Sequence, residues 1–165
     1  MSDDDWSVPE STVLTDTREL HESDRSGILA TVVAVEGSAY RRPGAKMLIP
    51  SGGEGVGSIT AGCLEDEVLR LAEDVLEEGR PRVETFDLMG DDDVWGLGVG
   101  CNGIIDLLLE PVDEHYEPLL AAYEAGEAAA SLTVLESDDS SVEAWQQAYC
   151  RVDGGVETTG GSLPV

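Results

Sequence analysis

Residues 27–35 read Gly27-Ile28-Leu29-Ala30-Thr31-Val32-Val33-Ala34-Val35, which is an apolar run rich in β-branched side chains. Such a run is typical of a strand that is buried on both faces, because neither face then needs polar side chains. Gly37, Pro43 and Gly44 punctuate the segment that follows, as in a loop. The stretch therefore predicts the central strand of a sheet that is covered on both sides.

The sequence on both sides of this strand alternates between helical and extended patterns. Helices are predicted over residues 11–23, 62–78 and 117–129. Strands are predicted over residues 27–35, 46–49, 55–59, 82–86, 104–109 and 131–135. We therefore expect an α/β fold with a mixed, mostly buried β-sheet and packed helices, and no Rossmann domain.

The predicted elements form a single domain with a weaker C-terminal helix–strand unit. We expect residues 1–112 to form a binding domain, and residues 113–165 to form an appended unit packed on the same domain. The appended unit carries a faint repeat. A helix, a glycine and the strand Ile28–Val33 recur as a helix, Gly126 and residues 130–135, and Gly55–Ser58 finds an echo in residues 160–163. The second copy lacks the residues that carry chemistry in the first.

The composition is strongly acidic, with 35 Asp and Glu residues against nine Lys and Arg and a formal net charge of −26. One interpretation is a protein that binds cations or basic partners. The other is the solvated surface of a protein adapted to high salt, which screens self-repulsion within a few ångströms. The acids are spread along the whole chain, which favours the second interpretation. Nucleic-acid binding is excluded, because it requires clustered positive charge.

The location and redox state follow from the termini and the cysteines. The N-terminus is acidic where a secretory signal would be basic and then apolar, and no apolar run is long enough to cross a bilayer. We therefore expect a cytoplasmic protein without a membrane span. The three cysteines Cys63, Cys101 and Cys150 form no CxxC pair or zinc-finger spacing, and in a reducing cytoplasm they should be free thiols.

Three of the nine bases, Arg41, Arg42 and Lys46, lie within six positions. Arginine forks suit phosphate or carboxylate, and a lysine adds a point charge. Tyr40 can stack on a flat heterocycle or cover a strand edge. Surface ion pairs with neighbouring acids are the alternative, each worth roughly 0–1 kcal/mol. The reversal of charge on an acidic chain favours a loop that binds an anion.

A second candidate element runs from Gly57 to Glu65, where a strand ends and a helix is predicted to begin. The free amides of a helix N-terminus attract anions and lower the pKa of a thiol placed there. Gly62, Cys63 and Glu65 are therefore candidate site residues. The alternative is that Cys63 is a small buried apolar residue.

A third candidate element is the glycine-rich stretch from Asp91 to Gly103. Residues 98–103 match GxGxxG, but a polar segment precedes them and a strand follows, so the dinucleotide-binding interpretation fails. The glycines can present backbone amides to a ligand, and Cys101 is a second candidate thiol. Three acids, Asp91–Asp93, can chelate a cation, although a solvated turn suits this composition better.

The three elements, in this order and spacing, resemble the N-terminal domain of the XdhC/CoxI family of accessory and maturation factors. The resemblance covers about residues 27–112. It rests on the stretches Ala30-Thr31-Val32-Val33, Gly37-Ser38-Ala39-Tyr40-Arg41-Arg42-Pro43-Gly44-Ala45, Gly57-Ser58-Ile59-Thr60-Ala61-Gly62-Cys63-Leu64-Glu65, Val94-Trp95-Gly96-Leu97-Gly98-Val99-Gly100-Cys101-Asn102-Gly103 and Leu108-Leu109-Glu110-Pro111. Ala61 and Asn102 stand where the family commonly has glycine.

The resemblance implies a chaperone that binds molybdenum cofactor as cargo, as molybdopterin or its dinucleotide form, and inserts it into a xanthine dehydrogenase or carbon monoxide dehydrogenase. The implied partners are the apo-enzyme, a sulfurtransferase, a separate polypeptide with the Rossmann domain of longer members, and a second copy in a homodimer. A thiophilic metal suits Cys63 or Cys101. The implied binding set is Tyr40, Arg41, Arg42, Lys46, Gly62, Cys63, Glu65, Trp95, Gly98, Gly100 and Cys101.

Two other functions are compatible with the residues. The chain can be a redox or sulfur-transfer enzyme that uses Cys63 with Cys101 as the resolving thiol, and a depressed Cys63 pKa would mark it. It can also be a non-catalytic subunit-interaction module that binds no small molecule. The accessory-factor interpretation assigns the chain no turnover of its own.

Overall fold

The computed structural model describes residues 8–60, 62, 64–88, 102–151 and 154–159. The chain divides into two compact units, the first ending at Val112 and the second beginning at Asp113. The first unit contains the helices α1 (Glu10–Glu22) and α2 (Glu65–Glu78), and the strands β1 (Gly27–Ser38), β2 (Lys46–Pro50), β3 (Val56–Gly57), β4 (Arg82–Asp87) and β5 (Asn102–Pro111).

The five strands of the first unit form one sheet in the order β3-β2-β1-β5-β4, with β1 in the centre. The pairing of the described strands is antiparallel throughout. The presence of helices and a sheet in this unit confirms the α/β class. The sequence predicts a mixed sheet, whereas the described strands are all antiparallel. The difference arises at β5, which reads like a buried parallel strand because its apolar run is covered on both faces, yet it runs antiparallel to both neighbours.

The two helices of the first unit lie on opposite faces of its sheet. The face beneath α2 forms the main core, in which Ile28, Ala30 and Val32 of β1 are almost fully buried with Val68 and Val75 of α2. On the other face, Leu20 of α1 lies directly above Gly27, where an added Cβ would approach the leucine Cδ1 to 2.9 Å. The sheet is therefore the middle layer of three.

The central strand is longer than predicted. β1 continues to Ser38, because Gly37 and Ser38 pair with Gly103 and Asn102 at the start of β5. A Cβ at Gly103 would meet the carbonyl oxygen of Glu36, so only glycine allows the two strands to approach this closely. The hairpin between β2 and β3 is confirmed, with Met47 paired to Gly57.

The second unit contains a 3₁₀ turn (Glu114–Tyr116), the helix α3 (Glu117–Glu124) and the strands β6 (Ala129–Thr133), β7 (Gln147–Arg151) and β8 (Val156–Thr159). These strands form an antiparallel sheet in the order β6-β7-β8. The helix is shorter than the predicted range 117–129, because Gly126 takes a left-handed conformation, with φ of 67°, and ends it. Strands β7 and β8 are not predicted from the sequence.

None of the helices in the described part of the chain combines the length and the apolar character that a bilayer crossing requires.

Candidate functional site

The loop between β1 and β2, which carries Tyr40, Arg41 and Arg42, is tied to the central strand at its base. The amide of Gly44 donates to the carbonyl of Val32 over 2.8 Å, and the amide of Val32 donates to the carbonyl of Ala45 over 2.9 Å. Gly44 has φ of 99°, a conformation that favours glycine. The loop is therefore presented from a fixed base.

Arg41 joins this loop to the second candidate element. Its Nη1 donates a hydrogen bond to Ser58 Oγ over 3.4 Å. Ser58 is buried at the end of the β2–β3 hairpin, while Arg41 is half-buried and Tyr40 remains 50% exposed. The structure thus brings together two elements that lie 17 positions apart in the sequence.

Arg42 and Lys46 differ in how they are engaged. Arg42 is exposed and forms no ion pair with any residue that the structure describes. The ammonium of Lys46 lies 3.1 Å from Glu10 Oε1 and donates to the Gly44 carbonyl over 2.9 Å. The Lys46 charge therefore faces α1 and the base of the loop.

Glu65 faces inward and organises the segment that precedes α2. Its two carboxylate oxygens lie 2.9 and 2.8 Å from the hydroxyl of Thr60, which donates to one of them at a time. One oxygen also accepts from the Leu64 amide over 3.1 Å, and the Thr60 hydroxyl accepts from the Gly62 amide over 3.3 Å. Because Glu65 and Thr60 are both buried, these bonds hold Thr60, Gly62 and Leu64 in place ahead of α2.

The helix start differs from the prediction in a way that affects anion binding. α2 begins at Glu65, three residues after the predicted start at Gly62, and its first turn carries Glu65, Asp66 and Glu67. Three carboxylates complement the positive end of the helix dipole and repel an approaching anion. The N-terminus of α2 is therefore a poor anion-binding site. Among the described residues, positive charge reaches this segment from Arg41, which bonds Ser58.

The described end of the third candidate element lies beside the start of the arginine loop. Asn102 and Gly103 pair with Ser38 and Gly37, at the point where β1 gives way to the arginine loop. The amide of Leu88 donates to the Gly103 carbonyl over 2.9 Å. Leu88 and Asn102, the described residues on either side of residues 89–101, therefore both lie at the end of β1. The candidate residues Trp95, Gly98, Gly100 and Cys101 lie outside the described residues, as does Cys63.

The described residues include no group of three or more His, Cys, Asp or Glu side chains arranged to hold a metal ion. The acids Asp91–Asp93 fall outside them. Two supporting residues, Ser58 and Thr60, were missed by the sequence analysis. The sequence marks these two residues only as polar side chains directly after a strand. A solvated turn has polar residues at the same place, so the pattern does not identify a site.

Three comparisons with known proteins agree with one another. Residues 20–87 match the model of the XdhC and CoxI family. A Bacillus subtilis protein, named as a probable xanthine dehydrogenase subunit, is 36% identical over 123 residues, which are 72% of this chain and 37% of that protein. The molybdenum cofactor insertion chaperone PaoD of Escherichia coli is 30% identical over 128 residues, which are 72% of this chain and 39% of that protein.

A solved structure is similar over almost the whole chain. The crystal structure of a xanthine dehydrogenase from Bacillus halodurans superposes with a TM-score of 0.76 at 31% sequence identity, over 94% of this chain and 46% of that chain. This chain therefore spans less than half the length of each of the three proteins. With the family model, these matches show that the chain belongs to the XdhC and CoxI family.

Proposed function

We propose that the chain binds molybdenum cofactor as cargo and acts as a maturation factor for a molybdenum hydroxylase of the xanthine dehydrogenase or carbon monoxide dehydrogenase type. The E. coli relative is named as a molybdenum cofactor insertion chaperone, and the B. subtilis relative as part of a probable xanthine dehydrogenase. The proposal extends that role to this chain.

The observation that carries the proposal is the meeting of the arginine loop and the β2–β3 hairpin through Arg41 and Ser58. Arg41 is held in place by this bond, and the neighbouring Arg42 is exposed. Two adjacent guanidinium groups on a chain of net charge −26 form a local attraction for a phosphate. Molybdopterin carries a phosphate, or a nucleotide in its dinucleotide form, so the cargo fits this charge pattern.

The other candidate residues take different roles in the proposal. Tyr40, 50% exposed, offers its ring to the pterin. The thiolate of Cys63 or Cys101 would suit the molybdenum, which is thiophilic, and Trp95, Gly98 and Gly100 belong to the glycine-rich stretch whose amides would bind the cargo. Lys46 and Glu65 act indirectly, because their charged groups are bonded to Glu10 and Thr60 and hold the two loops. Gly62 lets the chain turn before Cys63, with φ of 102°.

The proposed partners are the apo-enzyme that receives the cofactor and a sulfurtransferase that exchanges an oxo ligand while the cofactor is held. A polypeptide with a Rossmann domain and a second copy of this chain complete the proposed assembly. All of them would meet in the cytoplasm. The chain has no turnover of its own in this proposal, so its activity is measured by loading of the apo-enzyme.

The test is the amount of molybdenum and pterin that copurifies with the protein from cells that make the cofactor. Arg41→Ala and Arg42→Ala should each lower retention about 10-fold or more, since a charge-assisted hydrogen bond to a phosphate is worth about 1.5–3 kcal/mol. Cys63→Ser should lower the molybdenum content more than the pterin content.

Arg80→Ala is the matched control, because Arg80 is an exposed arginine paired only to Glu78 among the described residues. It should retain the cofactor at the wild-type level. Unchanged retention in Arg41→Ala, Arg42→Ala and Cys63→Ser would contradict the proposal. A loss of the same size in Arg80→Ala would show that retention depends on overall charge and would also contradict it.

A further inference from the structure

The two units share one arrangement of elements. In the first, α1 is followed by the antiparallel strands β1, β2 and β3, with β2 in the middle of these three. In the second, α3 is followed by β6, β7 and β8, with β7 in the middle. The faint sequence repeat is therefore a repeated helix–three-strand unit.

The hydrogen bonds of the two copies match residue by residue. Val32 exchanges bonds of 2.9 and 2.8 Å with Ala45 and Gly44, and Val134 exchanges bonds of 2.9 and 2.8 Å with Gln146 and Trp145. This places Trp145, at φ of 72°, on the position of Gly44. The same correspondence puts Gly126 on Asp24, and both have positive φ after their helices.

The registers of the hairpins agree as well. Pro50 accepts from the Gly53 amide at the β2–β3 turn, and Arg151 accepts from the Gly154 amide at the β7–β8 turn, both over about 3 Å. The pairing places Val156 of β8 at the position of Gly55. The register thus places Gly55–Ser58 at residues 156–159, whereas the sequence echo pairs them with residues 160–163.

At two places where neighbouring side chains meet, the second copy has a larger residue at one position and a smaller residue at the other. A Cβ at Gly27 would press on Leu20, and the residues at these two positions in the second copy are Ala129 and, in place of the leucine, the smaller Ala122. A Cβ at Gly55 would overlap the Met47 side chain, and the second copy has Val156 beside Ala148. Each enlargement is matched by a reduction next to it, as expected of two copies that pack the same way.

One face of the repeated sheet is covered in the first unit and exposed in the second. In the first unit, α2 covers a face formed by Ile28, Ala30, Val32, Met47 and Ile49, all of which are buried. The equivalent residues are all apolar. With Val156 and the exposed, uncharged Thr158, which pairs with Ala148, they form what we call the open face, which consists of Ala130, Leu132, Val134, Ala148, Cys150, Val156 and Thr158.

The exposure of the open face is unusual for this chain. Leu132 and Val156 are 44% and 45% exposed, and no side chain of the open face is charged although the chain has a net charge of −26. Only the short Ala148, on the middle strand between Leu132 and Thr158, is fully buried. On the opposite face the middle strand is covered, since Tyr149 and Gln147 are 2% and 6% exposed.

We propose that the open face is a docking surface for an amphipathic helix of the α2 type, which carries apolar residues at i, i+4 and i+7 like Val68, Ala72 and Val75, and a polar outer side. The covered equivalent face in the first unit specifies this occupant. A second copy of the chain is the alternative occupant, and the concentration dependence in the test below distinguishes it. The proposal does not depend on the bound cofactor.

The test attaches the occupant to the protein. A copy of Glu65–Gly79 is appended directly after Val165, which is the position that the repeat assigns to α2. Cys150 serves as the reporter in a Cys63→Ser, Cys101→Ser background, where it is the only remaining thiol. The appended helix should slow alkylation of Cys150 at least about fivefold, because the thiol then reacts only after local opening.

The matched control is the same appended segment with Val68→Glu and Val75→Glu in the copy, which should leave alkylation fast. Leu132→Glu with Val156→Glu in the extended protein should restore fast alkylation, while Ser131→Glu, an exposed change on the opposite face of β6, should not. Circular dichroism establishes that each variant is folded. Equal alkylation rates with and without the appended helix would overturn the proposal. A rate in the unextended protein that falls with protein concentration, alongside a dimer by light scattering, would assign the face to a second copy and overturn it as well.

Discussion

Glu65 shows how a residue that resembles a ligand donor can act inside the fold. Its carboxylate is buried and accepts from the Thr60 hydroxyl and the Leu64 amide. The negative charge therefore serves the backbone that leads into α2. The sequence shows an acid in a helical first turn but not the direction of its side chain.

We expect Glu65→Ala to lower the free energy of unfolding by about 1–3 kcal/mol, because it leaves a buried hydroxyl and a buried amide without an acceptor. Glu65→Gln should cost less, since an amide oxygen still accepts from Thr60. The measurement is urea denaturation at constant high salt.

Asp66→Ala is the control, because Asp66 occupies the same helical turn but is exposed. It should change the unfolding free energy by no more than about 0.5 kcal/mol. Equal destabilisation by the Glu65 and Asp66 changes would mean that helix charge, and not the Thr60 cluster, explains the effect.

At the scale of elements, the predictability of the fold depends on the apolar content of each strand. β1 and β5 were predicted because long apolar runs are buried on both faces, whereas β7 and β8 were missed. In β7, the buried face carries Gln147 and Tyr149, so the strand lacks an apolar alternation. The predicted arginine loop lies beside the hairpin as the site requires, but the contact of Lys46 with Glu10, 36 positions apart, leaves no local sequence signal.

The helix α1 and the strand β1 meet where Leu20 covers Gly27, and the repeat predicts how the pair responds to mutation. Leu20→Ala should cost about 2–5 kcal/mol of unfolding free energy through the cavity it creates. Gly27→Ala alone should cost about 1–3 kcal/mol through overpacking. In the Leu20→Ala background, Gly27→Ala should be neutral or stabilising, because Ala122 and Ala129 coexist in the second copy.

A double-mutant cycle by thermal or urea unfolding measures this coupling, with Gly79→Ala as a glycine control that no nearby atom crowds. The Gly79 change should be additive with Leu20→Ala, since Gly79 follows α2 and Leu20 lies in α1 on the other face of the sheet. Additive effects of Leu20→Ala and Gly27→Ala would contradict the packing argument.

At the scale of the whole molecule, the charge is the dominant property. The net charge of −26 arises from acids distributed over the whole sequence, and most of the described ion pairs involve exposed side chains. Such pairs contribute little to stability, so the acids mainly repel one another. The fold should therefore depend on salt in the solvent more than on its own ion pairs.

We expect the melting temperature to rise steeply between about 0.1 M and about 1 M KCl, as the screening length falls from about 10 Å to about 3 Å. Differential scanning calorimetry in KCl and in an equal osmolarity of a neutral osmolyte distinguishes two effects. KCl screens the repulsion between acids, whereas both solutes can stabilise the fold by being excluded from the protein surface. A melting temperature that rises equally in both would show that charge repulsion is not the cause.

The bond between Lys46 and the base of the arginine loop has a chemical consequence. Lys46 is the only lysine of the chain, so an amine-directed reagent has two targets, this ammonium and the N-terminal amine. The Lys46 ammonium lies 2.9 Å from the Gly44 carbonyl, beside the loop that carries Arg41 and Arg42. A dye coupled there would place a fluorophore beside the base of the arginine loop without any engineered residue. Because coupling also removes the charge that pairs with Glu10, the labelled protein would show what that bond contributes to holding the loop.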